Sequence, residues 1–158
     1  MAGILAWLEG TSLATWTRES PSIWAYPTIL TLHTVGLGIV VGMSAVIDLR
    51  LLGYGRRIPL DAMAGLFRLI AWAFALNAAT GIILFMSDAT TKGRQPILYI
   101  KLTFIGLALW NTAITRRLVR AAGPKADLGD EARGRRVAIL SLVLWAAAVT
   151  AGRLMAYM

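Results

Sequence analysis

Residues 69–86 read LIAWAFALNAATGIILFM, eighteen positions without a charged side chain. Only Asn77, Thr80 and Gly81 interrupt the apolar run. Since an α-helix rises about 1.5 Å per residue, this stretch is about 27 Å long, close to the roughly 30 Å hydrocarbon core of a bilayer. The stretch therefore predicts a transmembrane helix that begins near Asp61 and ends at Ser87.

Three more segments have a similar length and composition: residues 24–52, 96–114 and 137–158. Pro27 near the start of the first segment and Pro96 at the start of the third occupy positions where the missing N–H of proline costs least. The chain is 58% hydrophobic and only 15% charged. Its hydrophobic fraction is well above that of a typical soluble domain. The expected fold is all-α: an integral membrane four-helix bundle that forms one domain over residues 20–158.

The N-terminal segment, residues 1–19, is predicted to lie outside the bilayer core. Its apolar part, residues 4–16, is interrupted by Glu9 and Gly10 and is too short to span. It also lacks the basic start and small-residue cleavage pattern of a signal peptide. We therefore expect a short interfacial helix that stays in the mature protein. Residues 90–95 and 116–136 are expected to be solvated loops.

The positive charge clusters between the apolar segments, although the net charge is +8. Such clustering argues against nucleic-acid binding, which needs basic residues spread over one accessible face. Instead it predicts orientation, because basic loops stay in the cytoplasm. Eleven basic residues flank the first and third connections: Arg50, Arg56, Arg57, Arg68, Arg116, Arg117, Arg120, Lys125, Arg133, Arg135 and Arg136. The other side holds five, Arg18, Lys92, Arg94, Lys101 and Arg153, so both termini are expected outside.

Polar residues within the spans carry the functional information, since a charge in the hydrocarbon costs at least about 2.5–3.5 kcal/mol. The set is His33, Asp48, Arg50, Asn77, Lys101, Asn111 and Arg153. His33 is the only histidine, and the chain has no cysteine. A neutral His33 can ligate a haem iron or bond a quinone, or it can make a structural hydrogen bond to another helix.

A second iron ligand is not evident from the sequence. Met43, Met86 and Met155 qualify only by residue type, and methionine in apolar helices is usually packing. The iron can instead be five-coordinate, or two chains can each contribute His33. Lys101 and Arg153 lie at similar depth and can hold haem propionates or another anion, or can extend to the outer headgroups.

The remaining polar and small residues have structural interpretations. Asp48 and Arg50 are two apart and so face different ways, with Asn111 or Arg116 as expected partners of Asp48. A proton-relay role for Asp48 is the alternative. Gly38 and Gly42 have the spacing of a close helix contact, which we assign to the inside of the bundle rather than to a homodimer.

Several motifs resemble those of a known family. Tyr26-Pro27, His33 with Gly36, the DLRLLG run of residues 48–53, Lys101 and the GRLMAY run of residues 152–157 look like a family of small bacterial four-helix membrane proteins of uncharacterised activity. The resemblance implies a bacterial plasma (inner) membrane location. A looser resemblance rests on three residues: a histidine early in the first helix, an arginine near the end of that helix and a lysine at the start of the third. In these residues the chain is similar to the copper-resistance D membrane domain and to HemJ-type haem proteins. This resemblance implies that His33 is an axial haem ligand.

These observations lead to a membrane-embedded electron-transfer protein that binds haem b or interacts with a quinone, with His33 as metal ligand and Lys101 and Arg153 as cofactor-binding residues. Any enzymatic activity would be that of an oxidoreductase. The alternatives are an accessory subunit of a larger membrane complex or a transporter of a small solute or copper. The expected partners are the lipid bilayer and either further copies of the chain or other subunits.

Overall fold

Helices make up nearly all of the computed structural model, which describes residues 2–55, 57–122 and 131–155 together with Leu128 and Tyr157. Seven α-helices occur in these residues: α1 (Ala2–Glu9), α2 (Ser12–Glu19), α3 (Tyr26–Leu51), α4 (Ala64–Met86), α5 (Ala89–Lys92), α6 (Pro96–Ala122) and α7 (Ala132–Leu154). A short 3-10 helix, Leu60–Met63, precedes α4. Met1, Arg56, Lys125, Ala156 and Met158, which enter the sequence predictions, lie outside the described residues.

Four of these helices, α3, α4, α6 and α7, are long and apolar enough to cross a membrane. Large apolar side chains cover the outside of the bundle, where Trp72 and Trp110 are 72% and 73% exposed. An apolar exterior of this kind is stable only in lipid. The prediction of an all-α integral membrane four-helix bundle is therefore confirmed.

The spans pack in the order α4, α3, α7, α6. α3 lies along both α4 and α7, and α6 lies along α7, whereas α4 and α6 touch only sparsely. Buried side chains from the spans fill the centre, including Val40, Ile47, Phe67 and Leu144. The bundle thus has three closely packed interfaces and one open seam between α4 and α6.

The bundle has two ends that differ in sequence. At the α1/α2 end, α3 and α6 begin while α4 and α7 end; at the arginine end, α3 and α6 end while α4 and α7 begin. α3 ends at Leu51, where Gly53 adopts φ 98° and its N–H bonds the Arg50 carbonyl oxygen at 3.1 Å. Glycine suits this position because a left-handed φ is strained for other residues.

Three helix ends differ from the predicted ends of the spans. α6 continues past Arg116 and Arg117 to Ala122, because Thr115 and Val119 are buried and carry the packed face of the helix onward. α7 begins at Ala132 and ends at Leu154 rather than running from residue 137 to 158. The predicted loop of residues 116–136 is correspondingly shorter, and α5 occupies part of the other predicted loop.

The N-terminal segment forms two helices rather than the single one expected. The chain breaks at Gly10 and Thr11, where the Thr11 hydroxyl caps α2 by accepting from the Ala14 N–H at 3.4 Å. Both helices pack against the end of the bundle, where they contact α4 and α5, and Ala14 and Thr17 are fully buried.

Glu9, the last residue of α1, binds the connection between α4 and α6. Its carboxylate accepts from the Thr90 N–H at 2.9 Å and from the Thr90 hydroxyl at 2.6 Å. Arg18 adds an ion pair to Glu9 at 3.2 Å. The hydrogen bonds from Thr90, and then the Arg18 charge, hold the pKa of the Glu9 carboxyl below its ordinary value of 4.5.

The Gly38–Gly42 pair does not make the contact within the bundle that its spacing suggested. A Cβ placed on either glycine would meet no neighbouring helix of the described structure within 4 Å. The close contact belongs instead to Gly36, where a Cβ would lie 3.2 Å from the Ala73 carbonyl oxygen and 3.3 Å from the Asn77 Cβ. Glycine at position 36 therefore sets the approach of α3 to α4.

Candidate functional site

His33 lies on α3, one turn before the Gly36 crossing, and faces α4. The short distance between the two backbones lets polar groups reach across this interface. The His33 Nδ1 atom lies 3.0 Å from the backbone oxygen of Asn77 and 3.2 Å from the Thr80 hydroxyl oxygen. In return, the Asn77 side-chain amide donates to the backbone oxygen of His33 at 2.7 Å.

These contacts determine which ring nitrogen carries the proton. A carbonyl oxygen can only accept, so Nδ1 must donate to Asn77. The Thr80 hydroxyl has its own acceptors, the backbone oxygens of Leu76 at 2.8 Å and Asn77 at 3.1 Å, and so it can accept from Nδ1. In the neutral ring Nε2 then bears a lone pair, and no hydrogen bond from the described residues occupies it.

Gly81 makes room for the ring on α4. A Cβ at this position would lie 3.0 Å from the His33 Cε1 atom and 3.4 Å from Nδ1. The ring therefore rests against the α4 backbone, with Asn77 and Thr80 holding one edge. His33 remains partly exposed, so the other edge, with Nε2, is accessible.

Lys101 and Arg153 occupy the α1/α2 end, as does His33, but they differ in surroundings. Lys101 is partly buried, and its ammonium nitrogen and adjoining carbon lie 3.5 and 3.4 Å from a Cβ placed on Gly152 of α7. Arg153 is exposed, and no hydrogen bond or ion pair within the described chain joins it to Lys101 or His33. Lys101 thus packs against α7 at Gly152, and Arg153 lies at the periphery.

Asp48 forms a second buried polar cluster, nearer the arginine end. Asp48 and Ser44 are 2% and 3% exposed, and Ser141 of α7 hydrogen-bonds the carboxylate. The Asp48 Oδ2 and Ser44 Oγ atoms have no partner among the described residues. Both residues line a cavity of about 10 Å³, which has room for about one water molecule.

The predicted partners of Asp48 were wrong. The Asn111 amide donates instead to the backbone oxygen of Val137 at 2.9 Å and so ties α6 to α7. Arg116 is exposed and points to the open seam. α3 packs along α7, so Ser141 reaches Asp48. Arg50 is buried and its Nε donates to the Ile58 backbone oxygen at 2.8 Å, which anchors the connection to α4.

Sequence reasoning found His33 and Asn77 separately but did not join them, and it missed Thr80. One signal was available, since Asn77, Thr80 and Gly81 lie on the same face of the helix within an otherwise apolar span.

No group of three or more histidine, cysteine or acidic side chains gathers around a metal site in the described part of the chain. A metal at His33 would therefore have to bring most of its own ligands, as a haem does. Comparisons with protein-family models, with curated proteins and with solved structures find no match to this chain.

Proposed function

We propose that this protein is a membrane electron-transfer protein in which the Nε2 atom of His33 binds haem b. The observation that carries the proposal is the bond from the His33 Nδ1–H to the Asn77 backbone oxygen at 3.0 Å. Histidines that ligate metals commonly donate their other ring N–H to a carbonyl or carboxylate, which fixes the tautomer and raises the basicity of the ligating nitrogen. The arrangement at His33 fits that chemistry.

Other residues of the site suit the same cofactor. Lys101 lies at the same end of the bundle as His33 and can pair with a propionate through charge-assisted hydrogen bonds. Arg153 is a further propionate partner that would have to turn toward the site. Haem b, when bound, supplies reversible one-electron transfer. Since the chain has a single histidine, the iron would be five-coordinate, or would take a second ligand from a methionine of this chain or from the His33 of another copy.

The tautomer also limits the quinone interpretation. An unprotonated Nε2 accepts hydrogen bonds and cannot donate one to a quinone carbonyl. It can accept from the hydroxyl of a quinol. His33 would therefore bind the reduced form of the quinone, the quinol. The protein would keep an electron-transfer role, with a quinol in place of haem b.

A second candidate function is that of an accessory subunit in a larger membrane complex. It is favoured by Gly38 and Gly42, which offer an exposed strip of small residues with open space in front of it. Such strips allow another helix to approach closely in a bilayer. The neighbour can be a second copy of the chain or a different subunit.

We further propose a bacterial plasma membrane with the arginine end in the cytoplasm and both termini outside. Nine described arginines support this orientation: Arg50, Arg57, Arg68, Arg116, Arg117, Arg120, Arg133, Arg135 and Arg136. Basic residues at span ends are retained on the cytoplasmic side.

One purification tests these functions. The protein is expressed in haem-replete cells and isolated in mild detergent, and its absorption spectrum, extractable quinones and copurifying chains are measured. A Soret band that shifts on dithionite reduction supports haem b. A colourless protein with stoichiometric bound quinol supports the reduced-quinone form. A colourless chain with other subunits in fixed ratio supports the accessory role, and a colourless, lone and quinone-free protein contradicts all three.

A further inference from the structure

The seam between α4 and α6 holds a groove at the arginine end. Its volume is about 400 Å³, and its apolar lining includes Phe67, Ala64 and Ala71. The groove exists because α4 and α6 contact each other only sparsely there. A Cβ placed on Gly65, which also lines the groove, would meet no neighbouring helix of the described structure within 4 Å.

Three arginines line the same groove: Arg68 from α4, and Arg116 and Arg120 from α6. All three are exposed, and no carboxylate of the described residues forms an ion pair with any of them. The ion pairs of Arg18 and Lys92 lie at the opposite end of the bundle. Three arginines that line one groove without an acid beside them are complementary to an anion.

The position of the arginines indicates the source of the anion. Arg68 lies in the second turn of α4, and Arg116 and Arg120 lie in the last turns of α6, so all three are at the level where a span leaves the hydrocarbon. Basic pockets between transmembrane helices at this level suit lipid headgroups. The apolar side chains in the same lining suit an acyl chain, which inorganic phosphate lacks.

We propose that this groove binds the phosphate headgroup of an anionic phospholipid, held by Arg68, Arg116 and Arg120, with an acyl chain in the seam between α4 and α6. The arginine pair on one helix and the single arginine on the other clamp the phosphate from both sides. The bound lipid fills the one interface that the protein leaves open.

Native mass spectrometry of the purified full chain tests the proposal with three probes: phosphatidylglycerol, phosphatidylcholine and inorganic phosphate. The groove variant replaces Arg68, Arg116 and Arg120 by glutamine. The matched control replaces Arg117, Arg133 and Arg136, which are exposed near the same end and do not line the groove, so that both variants lose the same charge. We expect phosphatidylglycerol to bind the groove variant at least about tenfold more weakly than the wild type, because charge-assisted bonds are lost.

The control is expected to retain wild-type affinity for phosphatidylglycerol, and phosphatidylcholine is expected to bind all three proteins weakly. Equal loss in both variants would overturn the proposal, since general charge attraction would then explain the binding. Equally tight binding of inorganic phosphate would overturn the lipid assignment. Unchanged binding by the groove variant would overturn the site. Circular dichroism confirms that each variant keeps its helices before affinities are compared.

Discussion

Substitution of Gly36 by leucine is expected to lower the free energy of unfolding by about 3 kcal/mol, a large effect for one residue. Even a Cβ at this position would lie 3.2 Å from the Ala73 carbonyl oxygen of α4. The added side chain therefore forces α3 away from α4. That movement also breaks the bonds between His33 and Asn77, which lie one turn away along the same interface.

The matched control for this substitution is Gly38→Leu on the same helix. A Cβ at Gly38 has open space for 4 Å, so the larger side chain should be accommodated with little change in stability. Unfolding by denaturant in detergent micelles, followed by circular dichroism, measures both variants. Equal stability of the two variants would show that α3 and α4 do not cross at Gly36.

Replacement of His33 by alanine is expected to abolish the Soret band of the purified protein. The substitution removes the only histidine and with it the Nε2 ligand. Replacement of Thr80 by valine should have a smaller effect, because it removes only a supporting contact of Nδ1 at 3.2 Å. Loss of such supporting contacts typically weakens metal affinity by about 10- to 100-fold. Haem content per chain, measured by the pyridine haemochrome method, reports both effects.

Two controls separate ligation from a structural role of His33. Thr34→Ala changes an exposed residue that bonds only within its own helix, to the Leu30 backbone oxygen at 2.9 Å, and should leave haem content unchanged. Imidazole added to His33→Gly should restore the band, since the free base can enter the space of the ring. A full band in His33→Ala would exclude His33 as the ligand.

The spans could be predicted from sequence because a helix that crosses a bilayer needs a minimum number of consecutive apolar residues. Residues 69–86 satisfy this requirement on composition alone. The end of α6 could not be predicted in this way. Arg116 and Arg117 end the apolar stretch of the sequence, but the helix continues because Val119 packs against the core. The charged residues set the end of the apolar stretch, whereas packing against the core sets the end of the helix.

The candidate site was predictable only in part. His33 is conspicuous as a lone imidazole at membrane depth, yet its main partner is a backbone oxygen 44 residues away, which no side-chain pattern encodes. The glycine pattern misled for a similar reason. Gly38 and Gly42 have the familiar spacing, but the choice of contact face depends on which helix lies beside α3.

The ring of His33 can be observed directly, because it is the only histidine in the chain. Nitrogen-15 NMR of protein labelled at histidine therefore reports this one side chain without interference. The structure predicts a neutral ring protonated at Nδ1, with an unprotonated Nε2 resonance that changes when haem is added. A ring protonated at Nε2 alone would contradict the account, since that nitrogen could not then bind iron and the bond from Nδ1 to Asn77 could not exist.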